Sequence, residues 1–210
     1  MEVLFAGRFT GIPREAFTFF KGLASHNNRE WFQAHKDTYE RAVRKPMQSL
    51  IAELAPTFGS GKLTRINRDM RFARGQAPYK TSIASILGRH YISLSKDGLY
   101  VGTGMYMPEA AALQRLRAAI DEDSSGRKLA TLLASLRRRR YDVGTHETTA
   151  KPPRGYTADH PRIDLLRMKD IHAGKQLPPS ALSTRKALDR VADVMRDVQP
   201  LSDWLQRHVG

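Results

Sequence analysis

The chain has no cysteine, which excludes disulfides, thiolate metal sites, iron–sulfur clusters and a cysteine nucleophile. It also lacks any apolar run approaching the roughly 18 residues of a membrane-spanning helix, so no membrane partner is expected. Residues 1–10 contain too short an apolar stretch, with the wrong charge order, to read as a signal peptide, and a cytoplasmic location is the expectation. Acidic residues are scarce: 21 Asp and Glu face 35 Lys and Arg, a formal charge of +14. That exceeds the magnitude of about 2–8 that suffices to keep a small domain in solution, and points toward anionic partners. No P-loop, Gly-x-Ser-x-Gly elbow or His-Glu-x-x-His helix occurs, so no specific reaction can be read from a motif.

What is present is a patterned chain. Its 40% apolar and 27% charged content belongs to a folded protein rather than a disordered one. At 210 residues, with no repeat or low-complexity linker, the economical reading is a single domain over 1–210. The positive charge is spread along it: residues 1–105 carry 16 basic and 8 acidic side chains, and residues 106–210 carry 19 and 13.

Apolar spacing predicts a first helix from Pro13, as its N1 residue, to about Ser25. A second starts near Asn27 as N-cap, with Glu30 three residues on, and should kink at Pro46. After Gly59-Ser60-Gly61 the period changes to two. Residues 63–72 read as a strand with Arg65, Asn67, Asp69 and Arg71 on one face, followed by strands over 81–87 and 89–95. Asp97-Gly98 is a hairpin signal leading into Leu99 and Val101. Helices return after Pro108 and near Ser124, with acidic Asp121-Glu122-Asp123 at their junction favouring the second helix's N-terminus. A helix over 163–171 and a last one from about Ser180 complete the chain. The fold class expected is α+β: a small antiparallel meander flanked by helices on its N- and C-terminal sides.

The most unusual stretch runs from Lys62 to Arg89, with seven basic residues and one acid, Asp69. An arginine fork binds carboxylate or phosphate bidentately, and a lysine supplies a mobile point charge. Asp69 would then orient one of the arginines and leave another for a ligand. The competing reading is a purely structural Arg–Asp lattice.

The string Arg68-Asp69-Met70-Arg71-Phe72, followed by Pro78-Tyr79-Lys80-Thr81, resembles the hallmark of domain-of-unknown-function family 2461, a widespread microbial family. Phe9-Thr10-Gly11-Ile12, Asn27-Asn28-Arg29-Glu30-Trp31-Phe32, Pro153-Arg154-Gly155-Tyr156 and Leu166-Arg167-Met168-Lys169 also match, so the similarity covers nearly the whole chain. The resemblance implies one α+β domain making up essentially the entire protein. It carries over no activity, substrate or catalytic residue. Family members often have a lysine shortly before Pro-Tyr-Lys; here Gln76 and Ala77 stand there.

The leading expectation is an anionic, plausibly phosphate-bearing ligand in an Arg/Lys-lined pocket, with or without catalysis. Its residues would be Arg68, Asp69, Arg71, Tyr79, Lys80, Trp31, Arg154 and Lys169, with Asp69 or His35 as base if a reaction occurs. One alternative is a non-specific nucleic-acid-associated protein using Arg137, Arg138, Arg139 and Arg140. The other is an interaction module in which the Arg–Asp motif only holds the fold. No cofactor is expected. Asp159, His160 and Asp164 have metal-ligand chemistry, but Asp-His-Pro reads better as a turn entering a helix, so no metal site is expected. Gly102-Thr103-Gly104 lacks the third glycine and the βαβ setting of a dinucleotide loop, and reads as a strand where backbones approach closely.

Overall fold

The structure, a computed structural model, describes residues 7–69, 71 and 75–210. Met70 and Phe72, from the expected strand over 63–72, lie outside the described residues, as do residues 1–6 of the N-terminal stretch. Helix α1 (Arg14–Ser25) starts after Pro13, which is the N-cap rather than N1, and buries Ala16, Phe17, Phe19, Phe20 and Leu23. Helix α2 (Arg29–Ala34) is capped by Asn28, whose Oδ1 accepts from the Trp31 N–H at 2.8 Å. The cap therefore falls one residue later than the sequence suggests.

A turn, α3 (Lys36–Thr38), leads into a π-helical segment, Tyr39–Arg44, and then into α4 (Lys45–Phe58). A prolyl ring lacks the N–H and crowds the carbonyl four residues back. Pro46 meets that demand in the first turn of α4, directly after the widened π-helical turn, so the expected kink takes this form.

Strands β1 (Ser82–Leu87), β2 (His90–Ser95) and β3 (Gly98–Met105) form the expected meander, with Ser82 opposite Ser95 and Leu87 opposite His90. Gly98 turns at φ 119°, and a Cβ there would come within 2.1 Å of the Leu177 carbonyl oxygen. Residues 61–66 form no strand; Asn67 makes only an isolated bridge to Tyr79. Next come α5 (Ala110–Asp121), α6 (Asp123–Arg138), β4 (Asp142–Gly144), α7 (Ile163–Leu166), β5 (Ile171–Leu177) and α8 (Lys186–His208). The strands make one five-stranded antiparallel sheet in the order β1-β2-β3-β5-β4, and the class is α+β. The helix expected over 163–171 is a single turn, and β5 takes the residues after it. Among the described residues no helix is long and apolar enough to cross a membrane.

By its internal packing the chain divides into two units, residues 1–101 with 176–193, and residues 102–175 with 194–210. The first unit buries Phe9, Ile12, Phe20, Leu23, Met47, Leu50 and Ile92. Its N-terminal segment is fixed by Arg185 and Glu53. Arg185 donates to Glu53 at 2.6 and 2.9 Å and to the Phe9 carbonyl at 2.7 Å, while the Phe9 N–H donates to Glu53 at 2.6 Å. The second unit buries Leu116, Ile120, Leu129, Leu133, Leu166, Ile171 and Met195. At the junction of α5 and α6, Glu122 accepts from the Ser124 and Ser125 N–H groups. Hydrogen bonds from Ser125, the largest contributor, and from Ser124 pull its carboxyl down to about 2, as the acidic junction led one to expect.

Candidate functional site

In the first unit a cleft of about 1570 Å³ opens between two walls. One wall is the π-helical segment and α4; the other is the extended chain from Ser60 to Asn67, with Phe32 of α2 beside them. Among the described residues its charged lining is Lys36, Arg44, Lys45, Lys62 and Arg65 against a single acid, Glu40. Glu40 is taken by Arg44 at 3.1 Å. Lys36, Lys45, Lys62 and Arg65 make no ion pair with any described residue. Tyr39 also lines the cleft, and burial pushes its phenol up to about 12, so it remains a neutral hydrogen-bonding group at physiological pH.

The described motif residues follow the lining segment 60–67 in the chain and are not part of the lining. The Arg68 N–H donates to the Pro78 carbonyl and the Lys80 N–H to Ile66, closing the neck of a loop. Asn27 fastens that neck: its side chain donates to the Tyr79 carbonyl at 2.9 Å and accepts from the Tyr79 N–H at 3.0 Å. The Tyr79 ring is buried and stacks on Phe32 with centroids 4.2 Å apart, so Tyr79 backs the cleft wall. Trp31 turns elsewhere, stacking on His35 at 3.9 Å and meeting Phe19 at 5.5 Å.

Asp69 and Arg71 form a fork. Arg71 donates to the two carboxylate oxygens at 2.9 and 2.6 Å and through its backbone N–H at 3.2 Å. The pair is two residues apart and exposed, a contact within one loop. Those bonds hold the Asp69 carboxyl below its ordinary value, which makes it a poor general base. Arg68 donates to Gln76 at 2.9 Å while its buried Nε has no partner among the described residues. Lys80 is half-buried. His35 commits Nδ1 to the Trp31 carbonyl at 2.8 Å.

The remaining expected residues belong to the second unit. Arg154 is exposed, and Lys169 donates to Glu147. Arg137 and Arg138 end α6, and all four arginines 137–140 are exposed. Arg139 differs from its neighbours: it pairs with Asp197, which also accepts from the Tyr141 hydroxyl. His160 bonds to Asp121 at 3.1 Å and does not gather with Asp159 and Asp164.

One grouping escaped the sequence. His146, Asp170 and His172 each place a ligand-type atom within 4.8 Å of the others. Asp170 and His172 are an i, i+2 pair at the start of β5, a spacing that shares one side of an extended chain. Only the unpredicted strand shows that His146, 24 residues before Asp170, reaches them. Gly104 of β3 makes the local packing possible, since a Cβ there would stand 2.4 Å from the Ile171 carbonyl oxygen and 2.8 Å from the His172 Cα.

The fold and its cleft define an α+β protein with a cationic groove in its first unit. The chain belongs to the family of conserved hypothetical proteins DUF2461, which matches residues 15–204. Among curated proteins no sequence matches it at a significant level.

Proposed function

We propose that the protein binds an anionic ligand carrying more than one phosphate in the cleft of its first unit. The observation that carries this reading is the set Lys36, Lys45, Lys62 and Arg65, without ion-pair partners among the described residues, around one described acid already paired to Arg44. Like charges gathered in a concave, partly apolar wall focus a field that a polyanion relieves. The cleft exceeds the roughly 300–1,000 Å³ of compact small-ligand sites, which suits an extended polyphosphate. The test is calorimetric titration with pyrophosphate and ATP, for the wild type and the double variant Lys62→Ala/Arg65→Ala. A charge-assisted hydrogen bond contributes about 1.5–3 kcal/mol, so each cation removed should weaken binding by roughly 10- to 100-fold. Unchanged affinity in the double variant, or no binding at millimolar ligand, would refute the proposal.

A second reading is favoured by Arg137, Arg138 and Arg140, exposed together in the second unit: non-specific association with nucleic-acid phosphates. Anisotropy of labelled DNA and RNA across a salt series separates the two. Replacing these three arginines would flatten the salt slope by about 0.7–0.9 for each phosphate they neutralise.

A further inference from the structure

We propose that His146, Asp170 and His172 form a binding site for a divalent first-row transition metal ion, independent of the cleft. The Asp170 carboxylate is almost fully buried, with 5% of its side chain exposed, and its Oδ1 accepts from the His146 backbone N–H and from His146 Nδ1, both at 2.9 Å. His172 places Nδ1 4.0 Å from the same Oδ1. That Nδ1 is buried and makes no hydrogen bond with any described residue. Its other nitrogen, Nε2, stands 3.7 Å from an Asp142 carboxylate oxygen.

The tautomer that suits a metal ion here is the one with its proton on Nε2. A proton on Nε2 faces Asp142, which leaves the Nδ1 lone pair aimed at the Asp170 carboxylate. Two electron-rich atoms then face each other in a buried place, an arrangement that costs free energy unless a cation lies between them. A metal-bound histidine whose far N–H points at a carboxylate is the usual supporting geometry of a metal ligand, and Asp142, 3.7 Å from Nε2, needs only a small side-chain movement to supply it. Metal–ligand bonds of about 2.0–2.2 Å place tetrahedral ligand atoms roughly 3.3–3.6 Å apart, so small side-chain rotations must widen the 2.9 Å His146–Asp170 separation and shorten the 4.0 Å His172–Asp170 one. On binding, the proton that His146 Nδ1 donates to Asp170 leaves that nitrogen and passes to Nε2 of the same ring.

The donor set selects the ion. Two imidazoles and one carboxylate favour zinc, iron(II) or manganese(II) over calcium and magnesium, which prefer all-oxygen shells. Three protein ligands leave a coordination position open, and His146, with 54% of its side chain exposed, gives solvent access to it.

The experiment is a zinc titration of the chelator-stripped full-length protein at pH 7.5, in competition with a chromophoric chelator. The variants are His172→Gln, Asp170→Asn, Asp142→Asn and, as a control, His160→Gln. The expected result is one zinc per chain, weakened at least about 100-fold in His172→Gln and Asp170→Asn, about 10-fold in Asp142→Asn, and unchanged in His160→Gln. A thousandfold excess of magnesium should not compete. If Asp170→Asn fails to fold, the half-buried His172→Gln, checked by circular dichroism, carries the test. Substoichiometric binding in the wild type, or wild-type affinity in a folded His172→Gln, overturns the proposal.

Discussion

Asn27→Ala isolates the anchor of the motif loop. In the wild type both hydrogen-bonding groups of the Tyr79 backbone are satisfied by the Asn27 side chain, at 2.9 and 3.0 Å, and Tyr79 is only 5% exposed. Truncation removes two bonds, each contributing about 1 kcal/mol net, and leaves a buried N–H and C=O with a desolvation penalty of about 1–3 kcal/mol for the groups orphaned. The expected loss is about 2–4 kcal/mol. For a chain of this length that lowers Tm by roughly 5–15 °C. Asn28→Ala is the matched control, because Asn28 only caps α2 at an exposed position and its loss should cost about 1 kcal/mol. Thermal and urea melts of both variants, followed by far-UV circular dichroism, give the comparison. An Asn28→Ala defect equal to or larger than that of Asn27→Ala would refute the assignment of roles. Asn27→Asp refines it, since the carboxylate keeps the acceptor for Tyr79 N–H but cannot donate to the Tyr79 carbonyl.

Two further outcomes follow from interactions elsewhere. Hydrogen bonds from Arg185 hold Glu53 below its unfolded value near 4.5. Its stabilisation is therefore complete above about pH 4.5 and is lost as pH falls through the lower folded value. Glu53→Gln should lower the urea midpoint at pH 7, and the gap from wild type should shrink on acidification toward pH 3; a gap that widens would contradict the linkage. Gly104→Ala should destabilise by about 1–3 kcal/mol or more, because its Cβ must displace the Ile171 carbonyl at 2.4 Å. An unchanged Tm would show that β3 and β5 can part without cost.

The helical faces and the meander were legible because period and turn chemistry agreed: Phe17, Phe20 and Leu23 share a face of α1, and Asp97-Gly98 has the turn residues β2 and β3 need. β5 was not. Its His172, Lys175 and Gln176 break the apolar alternation, and Gly174 carries no side chain, so the segment has little strand signature beyond Ile171 and Ala173. Asn27 and Asn28 are chemically identical candidates for one cap, and only the partner 52 residues away separates them. The arginine-rich motif drew attention by composition, yet the cleft cations without an ion pair among the described residues include Lys36 and Lys45, which in sequence look like ordinary solvated helix residues. Charge runs announce themselves in a sequence; the absence of a neutralising neighbour is a property of tertiary structure.

The π-helical segment before Pro46 decides which side chains face the groove. In a regular α-helix, residues five apart are rotated by about 140° about the axis and point in different directions. Bonding from i to i+5 brings such residues close to one line, so Tyr39 and Arg44, and Glu40 and Lys45, can all line the same wall. The extra residue acts as a phase shift in the helix. Deleting one position there would restore regular pitch yet turn part of the wall's charge away from the groove, so its length is fixed as firmly as its composition.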